Sequence, residues 1–369
     1  MTQQKTQVNL RIPGPTPVPE DILAAVAHPM VNHRGKEFAG VINRTSEKLK
    51  DFFVTGQDVM ILSCSGTGGL EAAVVNTLSP GDKVLAVSIG AFGDRLTTIA
   101  ETYGAEIVAM PYEWGQAAHG DDVRKALKNT PDIKAVLITH NETSTGVTNP
   151  LAQIAEVVRE FDKLLIVDAV SSLGAIPFEM DAWGIDCVVT GSQKGWMVPP
   201  GLAFASLSER GWKAYEQAKM PRFYFDLGKH RDAQAKGQTP FTPAMPIFFG
   251  LDIALERMAL EGMEAIFTRH KKMGAMTREG VKRLGLELLC QDEHFASDTV
   301  TAVKCPEGID VGKLRGMMED DYNIVLAGGQ GKLTGKIFRI GHLGLVHEDD
   351  IRETINALGE TLTKLGHKS

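Results

Sequence analysis

Cysteine is scarce in this chain. Its 369 residues include four, Cys64, Cys187, Cys290 and Cys305, far apart and with no CxxC pair. That spacing disfavours a disulfide framework and the common cysteine-clustered metal centres, so no metal is expected. Most of the four read as small buried apolar residues. Long basic runs are also missing, and the net charge is -7. Nucleic acid and anionic membrane surfaces are therefore not expected partners. No apolar run approaches the length of a membrane span. The polar start, Met1 to Gln7, has no apolar signal core, so the expected compartment is the cytoplasm. Internal repeats and low-complexity tracts are absent as well.

What is present is an ordinary globular composition, 43% hydrophobic and 23% charged, in a chain long enough for a large domain and a smaller one. The stretch from Asn9 to Pro19 carries prolines at 13, 15, 17 and 19 and cannot be helical. It reads as part of an extended N-terminal arm, residues 1–20. From about residue 58 to about residue 210, apolar strand-like runs alternate with helical patterns. Examples are Val59–Ser63, Lys83–Ser88, Ala135–His140, Leu164–Asp168, Cys187–Gly191 and Leu202–Leu207. Such alternation predicts an α/β fold with a mostly parallel sheet. Continuous Val/Ile/Leu runs predict that helices cover both sheet faces. Residues 222–243 break the rhythm with polar and turn-forming residues. A large domain is expected over 21–262 and a small α+β domain over 263–369.

Two of the strand-like runs each deliver one charged residue at the carboxyl end, where open α/β sheets bind their ligands. The first delivers Asp168 and the second leads to Lys194. Alone, Asp168 reads as a helix cap and Lys194 as a surface lysine. Together they suit pyridoxal 5′-phosphate, which needs a lysine to hold it as a Schiff base. It also needs a carboxylate to keep its pyridine nitrogen protonated so that the ring acts as an electron sink. Ser65-Gly66-Thr67-Gly68-Gly69, between a strand and a helix, suits a phosphate cup. It fails as a dinucleotide fingerprint because Glu71 stands where the last glycine belongs.

Ser65-Gly66-Thr67-Gly68-Gly69-Leu70-Glu71, Asp168-Ala169-Val170-Ser171-Ser172 and Gly191-Ser192-Gln193-Lys194 together resemble the class V, fold-type I aminotransferases. The likeness is to the alanine–glyoxylate and serine–glyoxylate (serine–pyruvate) branch. It runs from Pro13-Gly14-Pro15-Thr16-Pro17 to Phe338-Arg339-Ile340-Gly341. The resemblance implies a pyridoxal 5′-phosphate enzyme that transaminates a small amino acid with a 2-oxo acid, glyoxylate, by ping-pong kinetics. Lys194 would carry the cofactor and move the α-proton, and Asp168 would pair with the pyridine nitrogen. Ser65, Gly66, Thr67 and Gln193 would hold the phosphate. Phe92 would stack on the ring, a phenyl where family members often carry tryptophan, with Val170 on the other face. Thr143 would bond the cofactor 3′-oxygen. Thr239 and Thr242 would reach the phosphate of a partner subunit, which requires a homodimer. Arg339 would clamp the substrate carboxylate, beside the Gly14 backbone.

Within the same fold, a ureidoglycine–glyoxylate or 2-aminoethylphosphonate aminotransferase shares the cofactor site. A cysteine desulfurase is disfavoured, because Phe92 stands where those enzymes carry histidine. From a different class, relatives of this branch have been called soluble hydrogenase subunits, yet no cysteine pair here suits an iron centre. A structural acid would satisfy Arg339 as well as a substrate would. His33 and His342 could line the substrate pocket, while the simpler reading of both is a satisfied structural histidine.

Overall fold

The computed structural model describes residues 8–367, and the polar start Met1 to Gln7 lies outside them. The strands are β1 (Asn9–Arg11), β2 (Val59–Leu62), β3 (Lys83–Ser88), β4 (Glu106–Pro111), β5 (Ala135–Thr139), β6 (Asn141–Glu142) and β7 (Val147–Thr148). They continue with β8 (Leu164–Asp168), β9 (Cys187–Gly191), β10 (Ala203–Leu207), β11 (Val300–Lys304), β12 (Ile324–Gly328) and β13 (Ile337–Gly341). Four helices matter for the site: α1 (Glu20–Val26), α2 (Lys36–Phe53), α3 (Gly66–Thr77) and α4 (Ala91–Thr102).

The central sheet has seven strands in the order β2-β10-β9-β8-β5-β3-β4. All neighbours run parallel except β10, which is antiparallel to both β2 and β9. Alternate residues of each strand feed two separate cores. Val59, Ile61, Leu85, Val87, Val136, Ile138, Leu165 and Val167 enter one. Met60, Leu62, Val84, Leu137, Leu164, Ile166 and Val189 enter the other. A strand's side chains point alternately to opposite faces, so both faces are covered by helices, as the unbroken apolar runs require. The expected α/β architecture with a mostly parallel sheet is what the chain forms.

Three features were not anticipated. Helix α2 buries Phe38, Val41, Ile42, Leu49, Phe52 and Phe53 at helical spacing against the first core. A helix over Leu227–Gln234 stands inside the polar stretch 222–243, started by Asp226, whose carboxylate accepts from the N–H groups of Gly228 and Lys229. Helix α3 begins at Gly66 rather than at Leu70, so the glycines form its first turn.

A second sheet has the order β1-β12-β13-β11. With the helices over Met263–Arg283, Val311–Tyr322 and Glu348–Lys364 it encloses its own core, built on Val303, Leu314, Met318, Phe338, Ile340 and Leu358. Its edge strand β1 comes from the N-terminal arm and pairs in parallel with Ile324–Leu326. The arm then returns to the large sheet. Thr16 donates its N–H to the Gln193 carbonyl at 3.1 Å and its hydroxyl to the Lys194 carbonyl at 3.0 Å.

Candidate active site

Strands β2, β3, β5, β8 and β9 share one direction, so their carboxyl ends open on one edge of the sheet. The chain runs outward from β3 to β4, then returns to β5. The loops after β3 and β5 therefore part at a topological switch point, which is where such sheets bind ligands. The segments Ser65–Gly69, Gly90–Phe92, Asn141–Ser144, Asp168–Ser171 and Gln193–Lys194 all emerge there.

Asp168 ends β8 and is buried. Its Oδ1 accepts from the Val170 N–H at 2.9 Å. Burial pushes its carboxyl up to about 7, and nearby Glu142 adds to this. The Val170 N–H and the charges of Lys194 and Arg95 oppose it. A protonated ring nitrogen would supply the cation that this carboxylate lacks. Lys194 is also buried, and its Nζ donates to the Pro13 carbonyl at 2.8 Å. Burial, followed by the Arg339 charge, lowers its ammonium to about 8, against the opposing pull of Asp168. An amine with that value is only about one-tenth free at pH 7, yet far more so than an ordinary lysine, and in that form can act as nucleophile and base. Gly14 makes the close approach of the arm possible, since a Cβ there would lie 2.5 Å from Lys194 Nζ.

Ser65 caps α3 without spending its side chain on the helix. The first N–H groups of α3 therefore face outward as an anion cup. Gly66 keeps the cup shallow, because a Cβ there would meet Val170 Cγ2 at 3.0 Å. Gln193 has a buried Oε1 without a partner, so its amide is available to a ligand at the same edge. Arg95 adds positive charge: its Nη1 lies 3.3 Å from Thr67 Oγ1, and its guanidinium sits 4.7 Å from the centre of the Phe92 ring. Phe92 itself is the second residue of α4.

Thr143 links two parts of the site. Its hydroxyl donates to Ser171 Oγ at 2.8 Å, and its carbonyl accepts from Arg339 Nη1 at 3.1 Å. Arg339 projects from β13, buried, and is held further by the Gly328 carbonyl at 2.8 Å and Gln330 Oε1 at 3.5 Å. All its partners are neutral oxygens, and no carboxylate pairs with it among the described residues. Burial lowers its guanidinium to about 10, still charged at neutral pH. His342 is not part of this group. Thr301 Oγ1 and the Asp298 carbonyl occupy its two ring nitrogens, and burial holds it neutral. His33 is half-buried. Thr239 is buried and spends its hydroxyl on the Phe241 carbonyl, while Thr242 is exposed. No hydrogen bond joins either threonine to the Ser65–Thr67 cup among the described residues.

Sequence reasoning did not single out Glu142, Arg95, Ser171 or Gln330. None of the four carries a local signal in the sequence.

This donor set fits pyridoxal 5′-phosphate: a buried amine, a buried acid lacking a cation, an anion cup with a free amide, and an unpaired arginine. The class-V aminotransferase profile matches residues 19–339. The chain belongs to that family. Class-V aminotransferases are pyridoxal 5′-phosphate enzymes, so this chain is a transaminase. Among its relatives, the "Soluble hydrogenase 42 kDa subunit" of Anabaena cylindrica is 46% identical over 98% of this chain and 94% of that one. The L-aspartate–glyoxylate aminotransferase of Paracoccus denitrificans is 38% identical over 90% of this chain and 85% of its own. A solved alanine–glyoxylate aminotransferase from Nostoc superposes with a TM-score of 0.93 at 29% identity, covering 98% of this chain and 97% of that one.

Proposed function

We propose that this class-V aminotransferase moves the amino group of a small amino acid, alanine or serine, to glyoxylate. The observation that carries the reading is Arg339, a buried guanidinium held in place by carbonyl oxygens and left without a carboxylate. A structural arginine would be expected to meet an acid of its own chain. One that lacks it at the mouth of a cofactor site is ready for a substrate carboxylate. The Gly14 backbone, pressed against Lys194, favours a small substrate.

The cofactor, when bound, supplies an electron sink and carries the amino group between the two half-reactions. Lys194 would hold it and, once freed, would take the substrate's α-proton and deliver it to the cofactor's C4′ atom. Asp168 keeps the ring nitrogen protonated. Ser65, Gly66, Thr67 and Gln193 would receive the phosphate, Phe92 and Val170 would enclose the ring, and Thr143 would turn its hydroxyl from Ser171 to the ring oxygen. Arg339 orients the substrate by its carboxylate so that one Cα–H faces Lys194. The name of the Anabaena relative suggests a redox role for that protein. The four cysteines here are all unpaired and give that reading no support.

Each site is completed by a second copy, whose Thr239–Thr242 loop reaches the phosphate cup. Phe223 is 70% exposed and Tyr224 39%, with Tyr224 stacked on Phe241 at 5.0 Å. Aromatic residues left open beside a ligand loop suit an interface. The cytoplasm remains the proposed compartment, and no helix among the described residues is long and apolar enough to cross a membrane.

The test supplies purified enzyme with glyoxylate and, in turn, alanine, serine and aspartate, and measures glycine. Glycine from alanine or serine, with Arg339→Ala losing amino-acid saturation yet keeping its cofactor, is the expected result. Glycine from aspartate alone, or from none of the three, would overturn it.

A further inference from the structure

Glu142 has no task in the reading above, yet it is fully buried beside the site. Its Oε2 accepts from the N–H groups of Phe92 at 3.1 Å and Gly93 at 3.0 Å. Its Oε1 accepts from the Ser144 N–H at 3.0 Å and the Ser144 hydroxyl at 2.6 Å. Ser144 Oγ in turn accepts from the Ala91 N–H at 2.9 Å. Three of the four partners are backbone N–H groups that can only donate, and the fourth, Ser144 Oγ, already accepts from Ala91, so a neutral acid would fit this set less well. The ionised form matches the geometry. Burial pushes the carboxyl above its usual range, and these donors offset only part of that.

Ala91, Phe92 and Gly93 are the first residues of α4, whose leading N–H groups have no partner inside the helix. A negative charge at that end is favourable. Glycine at position 90 is required for the approach, because a Cβ there would overlap the Glu142 side chain. The next residue, Thr143, holds Arg339 through its carbonyl. One short turn therefore ties the ring-stacking residue to the carboxylate clamp.

We propose that Glu142 is a positioning residue for the cofactor ring: its carboxylate fixes the first turn of α4 and so sets the depth and tilt of Phe92. The inference rests on the class-V role assigned to Phe92. Glu142→Gln conserves shape but removes the charge. Whichever way its amide turns, an NH2 group opposes at least one backbone N–H, and a lost hydrogen bond to a charged group costs about tenfold or more in an equilibrium.

The experiment measures pyridoxal 5′-phosphate dissociation constants by equilibrium dialysis and the visible circular dichroism per bound cofactor, for native enzyme, Glu142→Gln, Ser144→Ala and Phe92→Leu. Glu142→Gln is expected to weaken binding about tenfold or more and to lose dichroism in the manner of Phe92→Leu. Ser144→Ala, which leaves the carboxylate in place, is expected to move both readouts less in the same direction. Native affinity and dichroism in folded Glu142→Gln would overturn the proposal. So would weaker binding with native dichroism, the mark of a merely structural role. If Glu142→Gln does not fold, native values for Ser144→Ala overturn it. Glycine production from alanine and glyoxylate by the native enzyme tests the substrate assignment separately.

Discussion

Lys194 and Arg339 are electrostatically linked. Burial is the largest cause of the lowered lysine value of about 8, and the Arg339 charge comes next. Capture of the cofactor requires the free amine, so its rate in apoenzyme should rise through pH 8. Arg339→Gln removes one positive neighbour and should move that midpoint upward. Stopped-flow absorbance across pH 6–10 checks it, and an unchanged or lower midpoint would remove Arg339 from the electrostatics of the lysine. At this scale Asp168 and Lys194 were legible because a charged residue at the end of an apolar strand is costly without a partner. Glu142 was not, because Asn141-Glu142-Thr143-Ser144 reads as a polar loop. Its burial arises only when the start of α4, some fifty residues away in the chain, docks on it.

Helix α3 illustrates how an element can owe its place to one missing side chain. A Cβ on Gly69 would fall 2.6 Å from Val189 Cγ1 and 3.0 Å from the Ala203 Cβ, so α3 lies directly on β9 and β10. Gly69→Ala gains about 1 kcal/mol in helix propensity but overpacks the contact by about 1–3 kcal/mol. We expect a net loss in apoenzyme thermal stability and weaker phosphate binding, with Val189→Ala recovering part of both. A Gly69→Ala protein as stable as the native one would show that α3 can shift freely. The strands of the central sheet were legible from their apolar runs. Helix α2 was passed over although its apolar spacing is plain, and the short helix after Asp226 was hidden by its polar composition. The pairing of β1 with β12 left no local trace, since a parallel partner is chosen by the whole topology.

At the scale of the molecule, the small sheet, the arm and the large sheet meet around Lys194. The aromatic group of exposed Phe223 and Tyr224 and half-buried Phe241 lies on the chain before and within the loop proposed to serve a second copy. Phe223→Asp should convert a dimer to monomer in light scattering and weaken cofactor binding together. A Phe223→Asp dimer with native affinity would place the interface elsewhere.

The arm also sets an order of events during synthesis. Asn9–Arg11 leaves the ribosome long before its strand partner, Ile324–Leu326. Domains generally fold as they are released, beginning at the N-terminus. The large sheet can therefore form early with Lys194 already placed, while the segment that covers it waits for β12 to be made. A polypeptide that stalls before residue 324 keeps its arm unpaired. Its lysine would lack the Pro13 carbonyl that holds Nζ in the complete fold.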